Sequence, residues 1–321
     1  MPLELIKEKW SNKIDVVTIG ATKAEGGTRS KAIKVGGETG LPYLLEESEM
    51  PHKPVIAMEI FDVAPDDWPD TLKDPYGEVL NNPLEWAMKC ENEFKADLLT
   101  IRLSGIHPDA QNRSEEDTVK LINEITAKVK LPLIILGCGD DAKDNLILPR
   151  CAEITKGERC LIGDAVQKNY KTIVAACLAY GHSIIAESPI DINIAKQLNI
   201  LISEMGLPQE RIVINPTVGA LGYGMEYAYS IMERARIAAF GGDKMLSQPF
   251  ICFVGQEAWR AKEAKAKISE FPEWGNEKER GILWEAVTAS AFLQAGADIL
   301  IMRHPKAIEI VKKHIEELIK N

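Results

Sequence analysis

Short apolar runs rich in Val, Ile and Leu recur along this chain, each ending at a polar or glycine-bearing tip and each followed by a helical stretch. The tips read EIFD at 59–62, RLSG at 102–105, GCGD at 137–140, GDA at 163–165, ESP at 187–189, NPT at 215–217, VGQ at 254–256 and RHP at 303–305. The runs predict strands over 55–61, 98–103, 133–136, 161–163, 183–187, 212–215, 250–254 and 298–302. They are almost continuously apolar, as parallel strands covered on both faces are. The periodicity between them predicts helices over 83–94, 114–129, 142–155, 169–180, 191–205, 225–240, 281–295 and 305–320. Eight strand–helix units in sequence are what a closed (β/α)8 barrel requires, and in such barrels the strand tips converge on one functional face.

The connections support this α/β reading as a TIM barrel. Helix-to-strand connections are tight, at 130–132, 156–159, 181–182, 206–208 and 296, whereas strand-to-helix connections run long, over 62–82, 105–113, 217–224 and 257–280. Long connections confined to one side of a compact fold mark the side that works. The acids Asp141 and Asp191 sit where they predict helix N-caps, and Ser114 heads an acidic first turn. Trp68 and Tyr76, among the prolines and acids of 62–82, predict a stiff projecting element, and Phe271 and Trp274 a similar one in the seventh loop. Ahead of the barrel, strand-like runs at 16–22 and 31–37 flank KAEGGTRS, where Gly26 and Gly27 supply the positive φ of a reversal. Residues 1–53 are thus expected to form an N-terminal β-hairpin extension closing the barrel bottom, and 54–321 the barrel, within one domain.

Composition adds exclusions. Of 321 residues, 45% are hydrophobic and 27% charged, ordinary for a globular chain with a large core. A formal net charge of −10 argues against nucleic-acid binding through phosphate neutralisation. No apolar run has the length of a membrane span, and MPLELIKEKW lacks a signal-peptide core, so the expected setting is the cytoplasm, away from membranes. None of the six cysteines forms a C-x-x-C pair, and all but Cys138 read as small hydrophobes inside apolar runs.

The chemistry written at the tips is sparse. Acids at Asp62, Asp140, Asp141, Asp164, Glu187 and Asp191 offer oxygen ligands for Mg²⁺, but a polar ring lining a ligand cavity accounts for them better. None of the predicted barrel strands contains a lysine, which excludes Schiff-base chemistry from a strand. His107 and His304 each precede a proline near the active face, in positions suited to backbone-bonded loop histidines. No D-x-H-x-x-G corrinoid-ligand loop, H-E-x-x-H, G-x-S-x-G or P-loop is present. Gly219, Gly222 and Gly224 thin the loop after the sixth strand, and Gly137 and Gly139 the loop after the third.

Longer stretches carry a resemblance. GATK at 20–23 with GGTRS at 26–30, VGG at 35–37, DTLKDP at 70–75, GCGD at 137–140 and SPIDIN at 188–193 with QLNIL at 197–201 are joined by GYG at 222–224, SIMER at 230–234, DKMLS at 243–247, EAWRAKEA at 257–264 and GILWEA at 281–286. Together, over essentially the whole chain, they resemble the small subunit of the corrinoid iron–sulfur protein of the reductive acetyl-CoA pathway, the acetyl-CoA decarbonylase/synthase delta-subunit family. The resemblance implies a non-catalytic subunit, with no turnover of its own. A large subunit supplies the iron–sulfur cluster and most corrinoid contacts, and the corrinoid lies between it and the strand-tip face. Cobalt(I) accepts a methyl group from methyltetrahydrofolate through a separate methyltransferase and passes it to acetyl-CoA synthase of the CO dehydrogenase/acetyl-CoA synthase, with a reductive activator as a further partner.

On that reading, position at the tips makes Gly137, Gly139, Asp140, Asp164, Ser188, Asn215, Thr217 and Gly219 the expected cofactor-binding residues, the glycines leaving room for a flat macrocycle and the polar groups bonding its amides. No resident metal of this chain's own and no catalytic residue are expected. Two other readings stand beside it. One is a stand-alone pterin-dependent methyltransferase using Asp164 and Asn215, since the barrel is also similar to pterin-binding methyltransferases. The other is a Mg²⁺-dependent lyase on Asp140, Asp164 and Glu187.

Overall fold

A computed structural model describes residues 7–320. Strands β1 (Val16–Ile19) and β2 (Ile33–Gly36) pair antiparallel as a separate hairpin. Strands β3 (Val55–Phe61), β4 (Leu98–Arg102), β5 (Leu133–Leu136), β6 (Leu161–Ala165), β7 (Ser183–Glu187), β8 (Ile212–Asn215), β9 (Phe250–Cys252) and β10 (Ala297–Met302) form a closed parallel barrel in chain order, β10 pairing with β3. The helices are α1 (Asp70–Lys73), α2 (Pro83–Asn92), α3 (Glu115–Lys128), α4 (Asp141–Ile154), α5 (Tyr170–Tyr180), α6 (Ile192–Glu204), α7 (Met225–Phe240), α8 (Val254–Ala258), α9 (Lys262–Lys265), α10 (Glu277–Gln294) and α11 (Pro305–Lys320). The eight-unit barrel with an N-terminal hairpin, read from the apolar runs, is the fold observed. No helix among the described residues is long and apolar enough to cross a membrane.

The strands read as uniformly apolar because the barrel has two apolar layers. Outward positions such as Ile56, Met58 and Ile60 pack beneath the helices, while Val55, Ala57, Leu98, Ile134, Leu161, Ile185, Val213, Ile251, Ile299 and Ile301 pack inside. The hairpin side chains Val17, Ile19, Ile33 and Val35 belong to this inner cluster. The inner positions follow the period of two that a strand imposes. Continuing that period towards the C-terminal ends brings polar or aromatic residues to most of the inward positions there, at Glu59, Phe61, Arg102, Glu187, Asn215, Phe253 and Arg303, while β5 ends on Leu136. The barrel is therefore dry at the hairpin end and polar at the mouth.

Several boundaries differ from the expected ones. The fourth barrel strand runs on to Ala165, with a register irregularity between Ile162 and Ala165. The seventh stops at Cys252, and Val254 already opens α8. Helix α10 starts at Glu277, where the Asn276 side chain accepts a hydrogen bond from the Lys278 N–H. Asp140, not Asp141, caps α4, accepting from the Lys143 N–H at 2.9 Å, whereas Asp191 caps α6 as its position predicts. Of the two adjacent glycines at the hairpin reversal, Gly26 has positive φ (89°) and Gly27 does not; Gly27 serves close approach instead, since a Cβ there would sit 2.3 Å from the Ala21 carbonyl oxygen.

The 62–82 connection does not project. Trp68 and Tyr76 are 4% and 1% exposed and pack with Phe61 and Trp86, ring centroids 5.2–6.2 Å apart. Burying these rings stabilises more than ordering the loop costs, so the segment folds down against the end of β3 and α2.

Candidate functional site at the barrel mouth

The strand tips enclose a cleft of about 350 Å³ lined by Arg102, Gly137, Cys138, Gly139, Asp141, Asp144, Asp164, Val166, Asn169, Glu187, Asn215, Thr217, Val218, Phe253, Gln256 and Glu257. Of the expected residues, Gly137, Gly139, Asp164, Asn215 and Thr217 meet here, while Asp140, Ser188 and Gly219 do not line it. Asp140 is engaged as the α4 cap, and Ser188 is fully buried. Gly219 lets its own loop close, since a Cβ there would lie 2.3 Å from the Tyr223 carbonyl oxygen. Gly137 accommodates the Asp144 carboxylate, which accepts from the N–H groups of Cys138 (2.8 Å) and Gly139 (3.0 Å). Gly139, with φ of 90°, faces open space.

The floor is built on charge. The carboxylate of Glu59, without solvent access, lies between the Nε atoms of Arg102 and Arg303, 2.6 Å from each. Burial opposes its charge, but the two guanidiniums, Arg303 foremost, hold its carboxyl below the usual range. Each arginine also stacks on an aromatic ring: Arg102 lies 5.2 Å from Phe253, and Arg303 lies 5.0 Å from Phe61 and 5.4 Å from Trp68. Trp68 of the first loop thus supports the mouth from outside.

Beside this triad, Asp164, Glu187 and Asn215 line the cleft together. Burial, and next the charge of Glu187, push the Asp164 carboxyl well above its ordinary range; burial raises Glu187 as well. Charges on two partly buried carboxyls at one cleft oppose each other, which favours a proton on one of them. The Asn215 Oδ1 accepts from the Thr217 N–H at 3.1 Å, and the Thr217 hydroxyl donates to the Ser188 carbonyl at 2.6 Å. Thr217 (φ 55°) and Ile190 (φ 48°) are β-branched residues in the left-handed region, an unfavourable conformation that here sits beside the cleft. Two buried polar atoms of lining residues, Arg102 Nη2 and Asp164 Oδ1, have no hydrogen-bond partner.

Cys138 lines the cleft, but burial pushes its thiol up to about 12, and the other five cysteines are buried. His304 is packed on Trp259 behind the mouth, and its Nδ1 accepts from the Lys306 N–H at 3.1 Å. Asp140, Asp164 and Glu187 do not converge: among the described residues no group of three or more His, Cys, Asp or Glu side chains has an arrangement fit for a metal ion. Arg102, Glu59, Arg303, Asp144 and Phe253 were not singled out from sequence. The available signal was a charged residue interrupting an apolar strand, as in VIAMEIF and LLTIR.

Comparison with known proteins places this geometry in context. Residues 16–314 match the family described as CO dehydrogenase/acetyl-CoA synthase delta subunit. The chain is 37% identical to the acetyl-CoA decarbonylase/synthase complex subunit delta of Archaeoglobus fulgidus, over 98% of this chain and 72% of that one. It is 36% identical to the corresponding subunits of Methanosarcina mazei (97% and 72% covered) and Methanocaldococcus jannaschii (95% and 74% covered). Among solved structures it is similar in fold to Xanthomonas albilineans dihydropteroate synthase in complex with 7,8-dihydropteroate, with a TM-score of 0.58 at 14% identity over 87% of this chain and 99% of that one.

Proposed function

Given that the chain belongs to the CO dehydrogenase/acetyl-CoA synthase delta-subunit family, we propose that it is the small subunit of a corrinoid-dependent methyl carrier, its barrel mouth serving as a polar floor under the cofactor. The observation that carries this reading is the cleft itself. It is open, polar and internally braced, with two unpartnered buried polar atoms, and the barrel strands around it hold no lysine nucleophile. A volume of about 350 Å³ lies at the small end of ligand cavities, so a corrinoid rests across the mouth and needs a second protein to cover it.

The chain's own residues fit such a group. Asn215, Thr217 and Gln256 offer hydrogen bonds to peripheral amides, Asp164 adds a carboxyl, and Gly139 leaves the surface open beside them. Phe253 and Val218 give apolar contact for a flat ring. When bound, the corrinoid's cobalt takes up and releases the methyl group; this chain binds and orients it and excludes water from one side. The iron–sulfur cluster then belongs to the large partner subunit. A methyltetrahydrofolate-dependent methyltransferase, CO dehydrogenase/acetyl-CoA synthase and a reductive activator are the other proteins it meets, and it turns over nothing alone.

Co-expression with the large subunit tests this. A heterodimer carrying corrinoid absorbance is expected, and a stable heterodimer without it would contradict the reading. The cleft's small volume and the presence of Asp164 and Asn215 in its lining favour one second reading, a pterin-binding methyltransferase. Calorimetry of the isolated chain with methyltetrahydrofolate separates the two: binding supports the second, none supports the carrier.

A further inference from the structure

The two unpartnered atoms of the mouth are opposite in kind. Arg102 Nη2 is a donor and Asp164 Oδ1 an acceptor; both are buried, and both residues line the same cleft. Leaving such groups unsatisfied costs about 1–3 kcal/mol each. Neither residue is free to turn away. Arg102 is fixed through its Nε to Glu59 and by Phe253, and Asp164 is carried on β6 itself, beside the Glu187 end of β7.

The charges around them leave the mouth no excess of positive charge. Arg102 and Arg303 against Glu59 leave one positive charge, and the acids Asp164, Glu187 and Asp144 line the same cleft. Of the acids facing the cleft, Asp144 is satisfied by two backbone N–H groups, Glu257 pairs with Arg260 and Asp141 with Lys168. A partly buried floor without excess positive charge penalises an anionic ligand, and an unpartnered donor and an unpartnered acceptor in one cleft suit a neutral one that offers both.

We infer that the mouth recognises a neutral amide edge, a carbonyl beside an N–H, with Arg102 donating to the carbonyl and Asp164 accepting from the N–H. The inference deepens the carrier reading and rests on it for its first source, a side-chain carboxamide of a corrinoid. The lactam edge of a pterin offers the same chemistry.

The test is calorimetric titration of the complex with the large subunit, using hydroxocobalamin, its side-chain monocarboxylic acids and methyltetrahydrofolate. Unfolding midpoints confirm that variants fold. Hydroxocobalamin is expected to bind, with at least one monocarboxylic acid weaker by about tenfold or more. Asp164→Ala should cost a similar factor, and Asp164→Asn, which keeps a neutral acceptor, should restore most of it. If hydroxocobalamin and all its acids bind equally and Asp164→Ala changes nothing, the inference is overturned while the carrier reading stands. If only methyltetrahydrofolate binds and Asp164→Ala abolishes it, the amide-edge inference stands and the carrier reading falls. If none of the three binds, water satisfies the two atoms and both fall.

Discussion

Glu59 shows how much one side chain settles at this site. It has no contact with solvent and is paired with two arginines, so removing its charge leaves two guanidiniums uncompensated in a buried setting. Breaking a buried pair by deleting one partner costs about 3–5 kcal/mol, and Glu59→Gln should lower stability by that order in urea titration. Glu285 on α10 behaves differently. It accepts from the N–H groups of Arg303 (2.5 Å) and His304 (3.0 Å) and from the Trp259 indole (2.8 Å), bracing the β10 tip. Burial pushes its carboxyl up to about 7 against those donors. A carboxyl with a raised folded-state pKa stabilises most below its unfolded value, and the contribution fades as pH rises through the folded one. Wild type should therefore lose stability from about pH 5 to about pH 8 relative to Glu285→Gln, in which that slope is absent. Equal slopes would show that the three donors hold Glu285 ionised throughout.

Elements register more in sequence than their ends do. Every barrel strand was legible because a parallel strand under helices is apolar for its whole length. Its last inward residue was not, since one charge among five or seven residues reads as a tip. The aromatics of the first loop were misplaced because prolines and acids look solvated until a partner surface for the rings is known. Cap residues were shifted by one at α4, where two adjacent aspartates satisfy the same rule. The hairpin makes a sharper prediction. Arg29 in its connection, 3% exposed, pairs with Glu158 at 2.7 Å and donates to the carbonyls of Thr126 and Val129 at the end of α3 and of Leu131 in the connection beyond it. The first two are carbonyls a helix terminus leaves unpaired. Arg29→Met should cost about 3–5 kcal/mol through the stranded Glu158. Hydrogen exchange should show the hairpin opening first, and uniform protection would contradict its dependence on Arg29.

At the scale of the molecule, the polarity of the barrel organises everything. The hairpin side chains join the interior at one end, the polar residues gather at the other, and the long connections all leave from the polar end. The family was legible in long stretches spread over the whole chain. The mouth was legible only in part: Asp164, Asn215 and Thr217 stand at tips, as do Glu59, Arg102 and Arg303, but that the last three brace one another depends on three strands meeting. The central claim is that this mouth is the cofactor floor. Gln256 lines it without touching the buried brace, so Gln256→Trp fills the cleft at little cost to folding. The direct measurement is corrinoid absorbance per heterodimer, wild type against Gln256→Trp, at matched unfolding midpoints. The account predicts a corrinoid-loaded wild type and a variant that still pairs but retains about tenfold less cofactor. Equal loading of the two would contradict it.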